Sequence, residues 1–139
     1  MKFKTLDGYE VSINLSKDKC KQHDNYSAGQ IHIRNLIQEI YPHVSILEDF
    51  IIPSERLSLD FFLPERKIAI EFNGEQHKRF STFFHRDRND FLNQVSRDKR
   101  KQQWCKINNI TLVIVEDKQI QKSNLMEMII SAIHKQNNS

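Results

Sequence analysis

The chain has 139 residues, of which 38% are hydrophobic and 28% charged, and its formal net charge is +3. This length and composition predict one compact domain, residues 1–139, with a real core, and they exclude a linker-like chain. Because it has no membrane-length apolar run, no apolar secretory signal at its start and only two cysteines, we expect a cytoplasmic protein without a membrane partner.

The first 26 residues predict a small β-hairpin followed by a polar loop. Residues 2–6 and 9–13 alternate in polarity on either side of Asp7-Gly8. Asp-Gly between two alternating segments is a strong hairpin signal. The segment that follows, up to residue 26, is polar and rich in lysine, so we predict a loop there.

A first helix is predicted from Ser27 to about Tyr41. Ser27 and Gln30 fit a capping box, in which the serine caps the helix and the glutamine lies in its first turn. Apolar residues then recur at helical spacing and predict one buried face, formed by Ile33, Leu36, Ile37 and Ile40.

Three strands are predicted next, at residues 44–52, 57–63 and 68–73. The first two are joined by a turn at residues 53–55 and the last two by a turn at residues 64–66. Period-two alternation predicts strands with one apolar face. In the second strand this face would be formed by Leu57, Leu59 and Phe61, alternating with Ser58, Asp60 and Phe62.

The second and third strands carry two carboxylates on the same face. If the turn pairs Leu63 with Ile68, Asp60 lies directly opposite Glu71, where the Cβ atoms of cross-strand neighbours are only about 5 Å apart. Two like charges at that distance are unfavourable unless a positive charge lies between them, and a divalent metal is the usual reason. We therefore predict that this hairpin forms half of a metal-dependent active site.

The rest of the chain predicts two more helices and one more strand. A basic, aromatic loop at residues 74–90 precedes a helix from about residue 90 to 106. Residues 110–115 form a nearly continuous apolar strand, as expected for burial on both faces. A last helix follows at about residues 124–135. This order predicts a mixed α/β fold in which helices cover the faces of a sheet.

Asp98, on the second helix, is a further polar residue of interest. It shares a predicted face with Val95, Gln102 and Cys105 and would therefore point toward the sheet. A buried carboxylate needs a partner. Asp98 either forms a structural ion pair with a basic neighbour on its own helix, or it orients His77 or completes the metal site.

His77 follows the strand that carries Glu71. Histidine is the usual proton shuttle near neutral pH. Its position just beyond the carboxylate pair, at the start of the basic loop, makes it our candidate general base or general acid.

Basic residues cluster beside the predicted carboxylate pair. Residues 77–106 contain nine basic and three acidic side chains, a net charge of +6, whereas the rest of the chain has a net charge of −3. A basic segment in this place favours a polyanion, which we interpret as double-stranded DNA. The candidate phosphate contacts are Lys78, Arg79, Arg86, Arg88, Lys99, Arg100 and Lys101. Three loop phenylalanines either stack on bases or fold the loop back, namely Phe80, Phe83 and Phe84.

Three segments together resemble the PD-(D/E)xK nuclease superfamily: Leu59-Asp60-Phe61, Ile70-Glu71-Phe72-Asn73-Gly74 with His77, and Arg97-Asp98-Lys99. Within it, the pattern is most similar to the branch of very-short-patch-repair endonucleases and phage homing endonucleases of the E-D-x-H-D type. The resemblance covers residues 27–116, with 1–26 as an N-terminal hairpin and loop and 117–139 as a C-terminal helix. It implies a restriction-endonuclease-like mixed sheet, an αβββαβ core flanked by helices.

The resemblance also implies roles for individual residues. Asp60 would be the metal-binding aspartate, and the next ligand would be Glu71 or the backbone carbonyl of Phe72. His77 would be the catalytic histidine and Asp98 the closing aspartate. The implied ion is Mg²⁺, with Mn²⁺ as the alternative, because both accept hard oxygen ligands.

Two positions depart from the family pattern. Gln30 stands where a first-helix glutamate is expected. The other acidic residue on that helix, Glu39, points the opposite way, because nine residues are about half a turn out of phase. Gln30 is either a neutral catalytic group or a plain capping residue. Asn73 stands where the motif lysine is expected, which favours a mechanism assisted by His77.

The function that follows is a Mg²⁺-dependent DNA endonuclease, best matched by a free-standing homing endonuclease in a prokaryotic or phage-infected cell. Two alternatives stay open: a small restriction or mismatch-repair nicking endonuclease, and a DNA-binding module without catalysis. The sequence also leaves open whether the chain forms a homodimer.

Overall fold

The structure, a computed structural model, describes residues 1–16, 19–21, 26–73 and 85–138; within residues 85–91 it describes side chains only at Asn89. In chain order, the described residues form β1 (Lys2–Lys4), β2 (Glu10–Ser12), α1 (Ala28–Ile40), β3 (Leu47–Ile52), β4 (Leu57–Leu63), β5 (Ile68–Phe72), α2 (His85–Ile107), β6 (Thr111–Val115) and α3 (Lys122–Asn137).

The strands of the described part form a four-stranded mixed sheet and a separate hairpin. The sheet order is β3-β4-β5-β6, and β1 pairs only with β2. The pairs β3–β4 and β4–β5 are antiparallel, whereas β6 runs parallel to β5 after the crossover through α2. The predicted mixed α/β fold and its order of elements are confirmed.

The sheet is covered on both faces, which gives two apolar cores. On one face α1 and α3 pack against residues such as Phe61, Ile70 and Val113. On the other face α2 and the hairpin bury Trp104 and Phe3, whose ring centroids are 5.3 Å apart. The removal of this apolar surface from water is the main force that holds helices to the sheet.

The local signals for α1 and for the β4–β5 hairpin are borne out. Ser27 caps α1, since its Oγ accepts a hydrogen bond from the Gln30 N–H at 3.1 Å. Leu63 pairs with Ile68 across the turn, as predicted. Lys67 in that turn has a φ of 52°, which lets the chain reverse before β5.

The predicted single apolar face of β4 is wrong. Leu59 packs in the core under α2 together with Phe62, whereas Phe61 packs in the opposite core under α1. The alternation therefore changes phase at Asp60. The neighbouring strand breaks at the same level, where Asp49 has a φ of 51°, a left-handed conformation that aspartate tolerates better than most residues.

Two element boundaries also differ from the prediction. Strand β3 begins at Leu47 rather than residue 44, because the Ser45 N–H donates to the Glu65 side chain at 3.2 Å instead of pairing in the sheet. Helix α2 begins at His85, five residues before the predicted start. Its first residues contain no Gly or Pro, so nothing in them stops a helix.

The buried face of α2 matches the predicted one only in part, because Cys105 is buried as predicted but other residues of that face are not. Val95 is 37% exposed and Gln102 is also exposed. The residues that face the sheet are Lys101, Trp104 and Cys105. The large indole of Trp104 determines this orientation, because it is the largest fully buried side chain of the described residues.

Two further properties concern membranes and thiols. None of the helices in the described part is long and apolar enough to cross a membrane. Cys20 is half-buried and Cys105 is buried, and the two are not joined in a disulfide.

Gly29 gives a test of how α1 packs on the sheet. A Cβ atom at this position would lie 2.9 Å from two ring atoms of Phe72. We expect Gly29→Ala to lower the free energy of unfolding by about 1–3 kcal/mol, because the ring must move in a filled core. Urea denaturation measures the change. Asn35→Ala, at an exposed position of the same helix, should stabilise slightly. If Gly29→Ala is as stable as the wild type, the contact between α1 and Phe72 is wrong.

Candidate active site

Asp60 and Glu71 lie side by side at the point where the β4–β5 ladder ends. The Asp60 N–H donates to Glu71 Oε1 at 3.1 Å, and the Phe72 N–H donates to Asp60 Oδ2 at 2.7 Å. Each carboxyl group thus accepts a hydrogen bond from the backbone of the opposite strand. Such charge-assisted bonds fix the two side chains against the sheet.

A lysine from α2 reaches this pair. Lys101 Nζ lies 3.4 Å from Glu71 Oε2, and the lysine side chain is only 15% exposed. Lys101 was predicted from the sequence as a contact to DNA phosphate. In the structure its ammonium group points inward, onto the carboxylate pair, and its contact with DNA phosphate stays a prediction.

The two carboxyl groups resist ionising together. Burial and, to a smaller extent, the charge on Asp60 raise the pKa of Glu71 to about 8, although Lys101 opposes the rise. Burial likewise raises the pKa of Asp60, against the hydrogen bond from the Phe72 N–H. The pair therefore keeps a proton at pH values where two separate carboxyl groups would both be ionised. When both groups are ionised, two backbone donors and one lysine therefore leave part of the negative charge uncompensated.

The donor atoms of this pair suit a hard divalent cation. Asp60 and Glu71 offer carboxylate oxygens on adjacent strands, and the Phe72 carbonyl belongs to the same strand end. Among the described residues, no group of three or more histidine, cysteine or acidic side chains is placed to hold a metal ion. Mg²⁺ usually binds through one or two carboxylates together with waters and substrate phosphates. The residues present therefore fit Mg²⁺.

A third carboxylate, Asp49, lies on β3 beside the pair. It is buried, and its charge contributes to the raised pKa of Asp60. Gln30 of α1 donates from Nε2 to Asp49 Oδ2 at 3.4 Å. The predicted sheet-facing position of Gln30 is thus confirmed, and its side chain joins the edge of the site through Asp49. Glu39 is exposed, as predicted.

Asp98 lies one helical turn before Lys101 on α2 and is half-buried. Its Oδ1 accepts a hydrogen bond from Gln94 Nε2 at 3.0 Å, and Gln94 Oε1 accepts one from Arg97 at 2.8 Å. Gln94 is thus one hydrogen-bond partner of Asp98. The predicted role of Asp98 in orienting His77 stays a prediction, because His77 lies outside the described residues.

The predicted DNA contacts other than Lys101 fall into three groups. Lys99 is exposed on α2. Arg100 is partly exposed and donates to the Glu55 backbone oxygen at 3.0 Å, beside the β3–β4 turn. The predicted loop residues lie outside the described part of the chain, namely Lys78, Arg79, Phe80, Phe83 and Phe84. The structure also does not describe the side chains of Arg86 and Arg88, at the start of α2.

Sequence reasoning did not identify Asp49 and did not place Lys101 at the carboxylate pair. Asp49 interrupts the apolar run of β3, which was the only signal for it in the sequence. The position of Lys101 could have been found by taking Trp104 as the buried residue of α2, because the two are three residues apart and share a helix face.

The raised pKa of Glu71 predicts how stability depends on pH. The ordinary pKa of a glutamate is 4.5, and that of Glu71 in the folded protein is about 8. Between these two pH values the carboxyl group is protonated in the folded protein but ionised in the unfolded chain. Stability without metal should therefore fall as pH rises through this window. Glu71→Gln should flatten the profile in urea denaturation with a chelator present. The exposed Glu127→Gln should leave it unchanged. A Glu71→Gln profile parallel to that of the wild type would contradict the burial of this carboxyl group.

Comparison with known proteins gives a partial likeness. No family model matches the chain, and no solved structure matches it. A stretch of 43 residues, 31% of the chain, is 44% identical to Uncharacterized protein 307L of Invertebrate iridescent virus 6. That stretch spans 22% of the viral protein, so the likeness covers a part of each protein.

Proposed function

We propose that this chain is a Mg²⁺-dependent DNA endonuclease whose metal ligands are Asp60 and Glu71. The observation that carries the proposal is the pair itself, two adjacent carboxyl groups on neighbouring strands, largely buried and incompletely neutralised. Structural ion pairs rarely place two acids together, whereas a cation site requires it. The mixed sheet with its αβββαβ order supports a restriction-endonuclease-like fold.

The reaction is the hydrolysis of a phosphodiester bond. The oxygen of a water molecule forms a bond to phosphorus, and the bond from phosphorus to one ester oxygen breaks. The water loses a proton to His77, and the leaving oxygen takes up a proton from a solvent water molecule. Mg²⁺ supplies charge stabilisation for the phosphate and the leaving oxygen when bound. Asp60, Glu71 and the Phe72 carbonyl would hold it.

The DNA would be held by the basic residues around the carboxylate pair. Lys99 is exposed on α2, and Arg100 keeps part of its guanidinium at the surface while it is bonded to Glu55. In the sequence Lys78 and Arg79 follow directly after His77. Contacts of this kind position the phosphate backbone without reading the sequence of bases.

A free-standing homing endonuclease in a prokaryotic or phage-infected cell is the biological role that we propose. A restriction or mismatch-repair nicking endonuclease would use the same residues on a different target, and mapping the cleavage sites separates the two. A DNA-binding module without catalysis is favoured by one observation: the first-helix position is the neutral Gln30, bonded to Asp49. Binding without cleavage in Mg²⁺ and in Mn²⁺ would select that role.

The assignment of Asp60 is tested by nicking of supercoiled plasmid DNA. Asp60→Asn keeps the size of the side chain but removes its charge, so we expect cleavage in Mg²⁺ to fall by at least about a hundredfold. Asp7→Asn is the matched control, because Asp7 is exposed in the β1–β2 turn, where asparagine is equally suitable. Equal cleavage by Asp60→Asn and the wild type would refute the metal site.

The assignment of His77 is tested in the same assay together with DNA binding. His77→Ala should reduce cleavage by about 10²–10⁴-fold, the usual contribution of general acid or base catalysis. The affinity for DNA should change little. His43→Ala, at an exposed position, should cleave normally. Full activity of His77→Ala would remove His77 from the mechanism.

A further inference from the structure

Three consecutive cations on α2 point to three different surroundings. Lys99 faces solvent, Arg100 is bonded to Glu55, and Lys101 is bonded to Glu71. The side chain of Lys101 is 15% exposed, whereas that of Arg100 is 43% exposed. The ammonium group of Lys101 therefore lies in the site, whereas the side chains of Lys99 and Arg100 lie at the surface.

The position of Lys101 calls for a reason beyond stability. Lysine is almost never buried unless it is paired, and removing an ammonium group from water is unfavourable. A buried ion pair often contributes no more stability than apolar residues of the same size. A lysine placed against two buried acids is therefore weakly explained by folding alone.

The reaction proposed for this site would be favoured by a cation held in a fixed position. Phosphodiester hydrolysis builds up negative charge on the phosphate, and a cation placed beforehand at that point stabilises the transition state. The residue that follows the end of β5 is Asn73, which has no charge. Lys101 reaches the same end of the strand from the opposite helix.

We propose that Lys101 is a catalytic residue of this site, whose ammonium group holds Glu71 in the metal-free protein and contacts the reacting phosphate when a divalent cation takes Glu71. The inference rests on the proposed nuclease function. Lys101 and the cation then compete for the same carboxylate. This competition gives the role a signature that a structural lysine lacks.

The signature is a pair of effects with opposite signs. Lys101→Met removes the competing charge, so Mn²⁺ should bind about tenfold more tightly, because like charges this close repel strongly. The same change should lower plasmid cleavage in Mg²⁺ by at least about a hundredfold, because the transition state loses its cation. Calorimetric titration of the DNA-free protein with Mn²⁺ measures the first effect, and nicking kinetics measure the second.

The controls separate this role from folding and from DNA binding. Lys106→Met, exposed on the same helix, should change neither quantity. Lys99→Met should weaken DNA binding without tightening Mn²⁺ binding. Lys101→Gln, which can still donate a hydrogen bond to Glu71, repeats the test if the methionine variant does not fold. Thermal unfolding of each variant verifies that it is folded.

The outcomes distinguish this inference from the proposed function. If the wild type cleaves DNA and Lys101→Met cleaves equally well, Lys101 has no catalytic role although the nuclease assignment stands. If Mn²⁺ binding and cleavage both fall in the variant, Lys101 serves only to hold the site together. If the wild type neither binds Mn²⁺ nor cleaves, the nuclease assignment fails and this inference with it.

Discussion

Two hydrogen bonds between β4 and β5 fix the two carboxyl groups around which the candidate site is arranged. The Asp60 N–H donates to Glu71 and the Phe72 N–H donates to Asp60, so side chains replace backbone carbonyls as acceptors. The two acids are held by the sheet itself, not only by their own rotamers. Rigid placement of this kind is what a metal site or a catalytic site needs, because small displacements weaken both.

The same pair explains how the elements around it are used. Trp104 packs on Phe3 in the core under α2, and this packing orients α2 so that Lys101 lies against Glu71. On the other side, Gln30 reaches Asp49, which is buried next to Asp60. Apolar packing thus supplies the energy, and the polar groups receive their positions from it.

The parts that could be predicted from the sequence depend on short-range patterns. Ser27 as a helix cap and the pairing of Leu63 with Ile68 follow from local turn and capping chemistry, and the structure has both. The inward face of α2 could not be found from periodicity, because the helix is polar along most of its length. The phase change at Asp60 was hidden as well, since apolar residues stand on both sides of it.

The sequence by itself determined the order of helices and strands and the opposition of Asp60 and Glu71, because hairpin register depends on the turn between the strands. Only the tertiary structure decided what surrounds the pair. Asp49 approaches it from β3, 11 residues before Asp60 in the chain, and Lys101 approaches it from α2, 30 residues after Glu71. Packing of large side chains such as Trp104 sets those distant contacts, and no local pattern encodes them.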